Sequence, residues 1–285
     1  MKTGRWAPWL LGVLVAVLAV VLLRRAFGTR TCTPVIPPDA TAVVCAIAKN
    51  EGMYIDEWIA YNIKLGFDNI YVYDNSDDND LADLPAKYPG KVTVRHFPGK
   101  GQQLPAYHHF IASAKPHHTW CAFIDIDEFI VLKRHRDIKT LLRERCRRGA
   151  LSLNWYVFGS GGEREYRPEP VLKRFQRRGA TVNRHVKSIV KLADTERMRD
   201  PHSPILVAGT SQRDTSGREF AGPFNPNGPD DVAVVHHYFA KSLGEFKAKR
   251  LRGRSDTTLI RSMAEFAEHD ENDVVDASAW DLSVR

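Results

Sequence analysis

The segment Trp120-Cys121-Ala122-Phe123-Ile124-Asp125-Ile126-Asp127-Glu128-Phe129-Ile130 constrains the chain most, because an apolar run with no turn residue leads directly into three carboxylates. Apolar residues on both faces of Cys121 to Ile124 suit a central strand covered on both sides. Side chains alternate along a strand, so Asp125 and Asp127 would project to one side where it ends. Two neighbouring carboxylates repel, and one pKa rises unless a cation sits between them. A hard divalent ion that also holds a diphosphate removes that cost. The three residues alone fit an exposed acidic turn equally well, so the surrounding chain has to decide.

With 285 residues, 43% apolar and 26% charged, the chain has the makings of one generous α/β domain or two small ones. The composition excludes a disordered or fibrous chain, and no internal repeat is present. A net charge of +7 suits a diphosphate ligand or an anionic membrane surface, and permits nucleic acid. Four cysteines without a Cys-x-x-Cys pattern make neither a disulfide scaffold nor a metal knuckle. Cys45 and Cys121 fall inside predicted strands as small buried hydrophobes. Cys32 and Cys146 are the pair available in an oxidising lumen.

Trp6 to Leu23 carries no charge and is long enough to cross most of a bilayer. Lys2 and Arg5 precede it, and Arg24 and Arg25 follow. A cleaved signal peptide is the competing reading, with Ala26-Phe27-Gly28 as its small-x-small site. The length of the run and the two arginines before that site favour an uncleaved, single-pass anchor. Positive charge is balanced across the span, so orientation stays open. The expected organisation is a tail at 1–5, a signal-anchor at 6–27, a stem at 28–42 stiffened by Pro34, Pro37 and Pro38, a domain at 43–264, and a frayed acidic tail at 265–285.

Along the domain, Val43 to Ala48 reads as a strand, and Ile55, Trp58, Ile59 and Ile63 recur at helical spacing up to Gly66. Asn69 to Tyr73 is the next strand, followed by the acidic loop Asp74 to Asp80. Compact β-α-β units imply parallel neighbours, and ligands collect beyond the carboxyl ends of such strands. Asp74 could accept there from a base or ribose, although an Asp-Asn-Ser loop is also ordinary turn chemistry. Val92 to Phe97, a helix from about Gln103 to Ala114, and the Asp-x-Asp strand continue the alternation, and Asp137 to Arg148 is a basic amphipathic helix with a solvated arginine face. Leu151 to Phe158 is a strand that enters Gly159-Ser160-Gly161-Gly162, a loop rather than a dinucleotide fingerprint, since no helix follows. Val186 to Lys191 is a basic strand, His202 lies in a loop between Pro201 and Pro204, and Val232 to Tyr238 is a strand ending in two histidines.

In order, Ala48-Lys49-Asn50-Glu51, Tyr71-Val72-Tyr73-Asp74-Asn75-Ser76, Gly101-Gln102, Phe123 to Phe129, Phe158 to Gly162, Lys187-Ser188-Ile189, His237-Tyr238 with Lys241, and Lys249 to Arg254 resemble glycosyltransferase family 92, a DUF23-type group related to family 2. The resemblance covers about residues 43–254. It implies a GT-A fold, Rossmann-like and nucleotide-sugar-binding, and a UDP-sugar donor, galactose in studied members. It further implies a glycan acceptor, a Mn²⁺-type ion, and a type II anchor facing the Golgi lumen if the host is eukaryotic. Glu163 stands where the family pattern leads one to expect His, which puts acceptor-side chemistry in question.

Breaking a sugar–phosphate bond leaves charge on a diphosphate that an ion and basic side chains must neutralise. Asp127, and Asp125 directly or through the ribose, are the expected ion ligands, with His237 as a ligand from a distant strand. Ala48, Asn50, Glu51, Asp74 and Gln102 are expected around the nucleotide, and Lys241, Lys249, Arg250 and Arg252 on the diphosphate. If the reaction inverts, a carboxylate must deprotonate the acceptor hydroxyl; Glu163 is the first candidate, ahead of Glu128 and Asp230. A haloacid-dehalogenase-type phosphatase is the rival enzyme, but its Asp-x-Asp belongs on a first strand, not a fourth. A glycosidase would need a carboxyl pair across a sugar, and none is identifiable. A membrane-tethered glycan- or nucleic-acid-binding module is the non-enzymatic rival; the intact Asp-x-Asp argues against it, and no nucleic-acid partner is expected.

Overall fold

The computed structural model describes residues 36–226 and 228–284. The expected anchor, Trp6 to Leu23, and the first part of the stem, with Cys32, lie outside them. No described helix is long and apolar enough to cross a membrane.

The first half alternates strand and helix as its hydrophobic periods demand. Strand β1 (Ala42–Ala48) is buried at every position, and helix α1 (Gly52–Leu65) turns Ile55, Trp58, Ile59 and Leu65 inward. Gly66 ends α1 at φ +100°, a left-handed conformation that glycine adopts without a Cβ penalty. Then come β2 (Asn69–Asp74), β3 (Val92–His96), α2 (Gln103–Ala114) and β4 (Trp120–Phe123). Strands β2 and β4 pair in parallel on either side of β1, and β3 in parallel beyond β2. The α/β expectation therefore holds, with a parallel-rich centre.

Past β4 the chain crosses the Asp-x-Asp turn into β5 (Glu128–Leu132), α3 (Ile138–Arg145), β6 (Ala150–Val157), β7 (Arg177–Arg178) and β8 (Asn183–Lys191). The hairpin β9 (Thr195–Met198) and β10 (Pro204–Leu206) follows, then β11 (Gln212–Arg213), β12 (Glu219–Phe220) and β13 (Ala233–His237). Among the described residues the main sheet has ten strands and runs β12-β11-β6-β8-β4-β1-β2-β3, with β13 joining β5 to β6. Strand β8 is antiparallel to β4 with Ala122 opposite Ile189, so it continues past the end of β4 and carries Lys187 to the acidic turn. Trp58, Trp120, Phe123 and Phe129 are fully buried between the sheet and its helices.

The last helices are α4 (Leu243–Leu251), α5 (Met263–His269) and α6 (Ser278–Val284), with the short β14 (Val274–Val275) between the last two. The acidic segment past residue 264 is thus no frayed tail. Strand β14 pairs with β7, Asp276 receives Arg178 Nε at 2.7 Å, and Ala279 is buried in the main core. Asp276 also caps α6 through Ser278, so these acidic residues have partners inside the fold that composition could not reveal.

Candidate functional site

The cleft lies at the carboxyl ends of β1 and β4, and Glu51, Asp125, Asp127, His237, Lys249 and Arg252 all line it. Four elements deliver them. Asp125 and Asp127 leave β4, His237 ends β13, Lys249 comes from α4, and Glu51 begins α1. The capping box of α4, in which Ser242 and Glu245 bond each other's backbone N–H, fixes where that helix starts. Arg174, with its side chain fully buried, clamps Glu245 at 2.6 Å and Glu163 at 3.1 Å.

Each carboxylate of the Asp-x-Asp is met by a lysine. Lys187 Nζ is 2.7 Å from Asp125 Oδ2 and 3.4 Å from Glu128 Oε2. Gln103 Nε2 donates to Asp125 Oδ1 at 2.8 Å. Lys249 Nζ sits 2.6 Å from Asp127 Oδ2, with Lys241 Nζ at 4.0 Å and His237 Nε2 3.6 Å from the other oxygen. Burial alone would raise the Asp127 pKa, but Lys249, His237 and Lys241 outweigh it and hold the carboxyl well below its usual range. Burial and the neighbouring cations Lys241 and Arg261 push Lys249 down to about 8, against the pull of Asp127. Glu128 is fully buried, and burial pushes its pKa well up, with Lys187 opposing.

The predicted site residues divide. Asp125, Asp127, His237, Glu51 and Arg252 come together, and Lys241 stands behind Asp127 with its ammonium over the Tyr54 ring. Arg252 ion-pairs with Glu51 and donates to the Asn50 carbonyl at 3.2 Å, so Asn50 is held at the rim. Ala48 does not line the cleft; its carbonyl accepts from the Asn75 N–H at 2.7 Å and ties the loop after β2 to β1.

Asp74 requires a correction. It is fully buried, and its two oxygens accept from the Ser76 and Leu81 N–H groups at 2.9 and 3.0 Å, so it orders the loop after β2 and lines no part of the cleft. Gln102 turns outward onto the Lys100 carbonyl, and Gln103, one residue on, enters the cleft. Arg250 lies on the exposed face of α4, bonded to the Arg261 carbonyl. Glu163 is held by Arg167 and Arg174 and does not line the cleft, so it is not presented to an acceptor. Lys187, Gln103 and His202 were missed as site residues. The motif Lys187-Ser188-Ile189 was the one signal for the lysine, and the other two carried none.

Of the expected ion ligands, Asp127 and His237 are the pair that would hold a divalent ion, and Asp125 is not. His237 Nε2 lies 3.6 Å from Asp127 Oδ1, and an imidazole beside a carboxylate oxygen is a donor pair that Mn²⁺ accepts, while Lys249 holds the other Asp127 oxygen. Asp125 has both oxygens engaged by Lys187 and Gln103. Among the described residues no three His, Cys, Asp or Glu side chains gather as a metal cluster.

The sequence model of glycosyltransferase family 92 matches residues 42–198, more than half of the chain. A glycosyltransferase family 92 protein of Oryza sativa subsp. japonica is 28% identical over 156 residues, which cover 52% of this chain and 26% of that protein. One of Ricinus communis is 27% identical over 226 residues, covering 73% of this chain and 36% of the relative. One of Arabidopsis thaliana is 25% identical over 225 residues, covering 73% and 37%. The chain thus spans between a quarter and two-fifths of the length of these curated relatives.

Proposed function

The chain belongs to glycosyltransferase family 92, and from that premise we propose that it transfers a hexose, galactose in our reading, from a UDP-sugar to a glycan acceptor with inversion. The observation that carries this reading is the gathering of Lys249, Lys241, Lys187 and Arg252 around the Asp-x-Asp at the carboxyl ends of the central strands. A nucleotide in such a sheet sits beyond those strand ends. When the C1–O bond to the diphosphate breaks, negative charge collects on the leaving oxygen. Lys249 and Arg252 stand where they would meet it, and preorganised cations in a partly dry cleft are worth more than the same charges in water.

In this reading Asp127 and His237 would hold Mn²⁺, which would offset charge on the diphosphate. Asp125, fixed by Lys187 and Gln103, orients the donor through its ribose. Glu128, buried behind them, keeps the turn closed by accepting from the Asp125 N–H at 2.9 Å. The Trp6 to Leu23 run is the basis for placing the protein on a membrane as a single-pass chain, while its facing the Golgi lumen in a eukaryote rests on the family resemblance alone.

The experiment is a screen of nucleotide-sugars for UDP release by the full chain in detergent, with and without EDTA. UDP release from UDP-galactose, lost in EDTA and restored by Mn²⁺, supports the reading. Release of inorganic phosphate from phosphomonoesters, with none from nucleotide-sugars, would favour the phosphatase instead.

A further inference from the structure

His202 lines the cleft beside Asp125 and Trp155, on the turn between β9 and β10. That turn is tightly built. The Asp200 carboxylate accepts from the N–H groups of His202 and Ser203, both at 2.8 Å, and from the Ser203 hydroxyl at 2.6 Å. The Ser188 hydroxyl donates to the His202 carbonyl at 2.6 Å, tying the turn to β8. The ring is held as well. Its Nδ1 lies 2.9 Å from the Val186 carbonyl, and the Trp155 indole packs against it at 5.3 Å and 65°.

This arrangement selects a tautomer. A carbonyl oxygen only accepts, so Nδ1 carries the proton of the neutral ring and Nε2 carries the lone pair. Among the described residues Nε2 has no hydrogen-bond partner, and it is not one of the buried unpaired atoms, so it is open to the cleft. Burial and the Lys187 ammonium lower the His202 pKa to about 4, with Asp125 opposing, which keeps the ring neutral at pH 7. Glu163, by contrast, is locked between two arginines.

We propose that His202 Nε2 is the base that deprotonates the acceptor hydroxyl, a role that rests on the glycosyl-transfer reading above. The hydroxyl oxygen forms its bond to the anomeric carbon. The C1–O bond to the diphosphate breaks, and its electron pair stays on the departing UDP oxygen. The hydroxyl proton passes to Nε2 and from there to water. Burial and the Lys187 ammonium disfavour the imidazolium that forms for that moment, and the negative charge of Asp125 offsets part of that cost.

The test uses the full chain in detergent, with UDP-galactose as donor, methyl β-galactopyranoside as acceptor, and the variant H202N. Asparagine keeps a donor for the Val186 carbonyl but has no basic nitrogen, so the turn stays intact while the base is lost. The expected result is unchanged UDP affinity by calorimetry with transfer slowed by about 10²–10⁴-fold, the usual worth of a positioned base. Added imidazole should restore part of the rate in H202A, which a merely structural role would not allow. In the wild-type chain labelled with ¹⁵N-histidine, the resonance missing from H202N should show Nδ1 protonated and Nε2 bare at neutral pH. A ring protonated at Nε2, or an H202N that turns over at the wild-type rate, overturns the base alone. A wild-type chain that releases no UDP from UDP-galactose overturns the glycosyl-transfer reading and the base with it.

Discussion

Asp127 illustrates why buried charges come in groups. Its carboxylate is desolvated, and Lys249, Lys241 and His237 share it; burial and the neighbouring cations Lys241 and Arg261 in turn lower the pKa of Lys249. Lys249 therefore loses its charge at a lower pH than a free lysine. Protonated below about 8, it can hold a diphosphate; as pH rises through about 8 it becomes neutral and that attraction disappears. UDP affinity measured by calorimetry should fall across that range in the wild type and stay flat in K249M. The same substitution should cost about 1.5–3 kcal/mol of UDP binding at neutral pH, the worth of a hydrogen bond to a charged group. Asp74 makes the opposite prediction. Because its oxygens satisfy two buried backbone donors, D74A should lower the unfolding free energy by about 1–3 kcal/mol, read by urea titration. Unchanged stability with weakened UDP binding would return Asp74 to the nucleotide site.

Helix α4 is the element on which the site depends, since it carries Lys249 into the cleft and is held at its start by Arg174 through Glu245. Removing the guanidinium leaves Glu245 and Glu163 facing each other without their cation. R174M should cost about 3–5 kcal/mol of stability, as breaking a buried pair does. UDP affinity should weaken as well, and a variant with wild-type melting and binding would show that α4 is fixed by other contacts. The elements themselves were largely legible. Helix α2 was expected from about Gln103 to Ala114 and spans those residues, because its apolar spacing and the proline after it leave little choice. What spacing could not resolve was the phase of its first turn, which decides that Gln103 rather than Gln102 meets Asp125. Nor could it show that Lys187 and His202 converge, because β8 runs antiparallel past β4 and strand order is set by long-range pairing.

On the scale of the molecule, the sequence made the Asp-x-Asp and the parallel sheet readable because both rest on local periodicity. The C-terminal segment was not readable, because its acidic residues find Arg178 and the backbone near β7 only after folding. Gly159 records how closely it packs, since a Cβ there would lie 2.4 Å from the Glu271 carbonyl oxygen. A chain ended after His269 should melt lower, by about 2–4 °C for each kcal/mol lost. A truncated chain that melts with the wild type would show that the segment adds nothing. For the cleft, the decisive measurement is UDP release from UDP-galactose by the full chain, compared with D127N across a Mn²⁺ titration. We expect EDTA to abolish release in the wild type and Mn²⁺ to restore it, with D127N slower by orders of magnitude, each factor of ten being about 1.4 kcal/mol. Release that persists in EDTA with D127N near the wild-type rate would contradict the account.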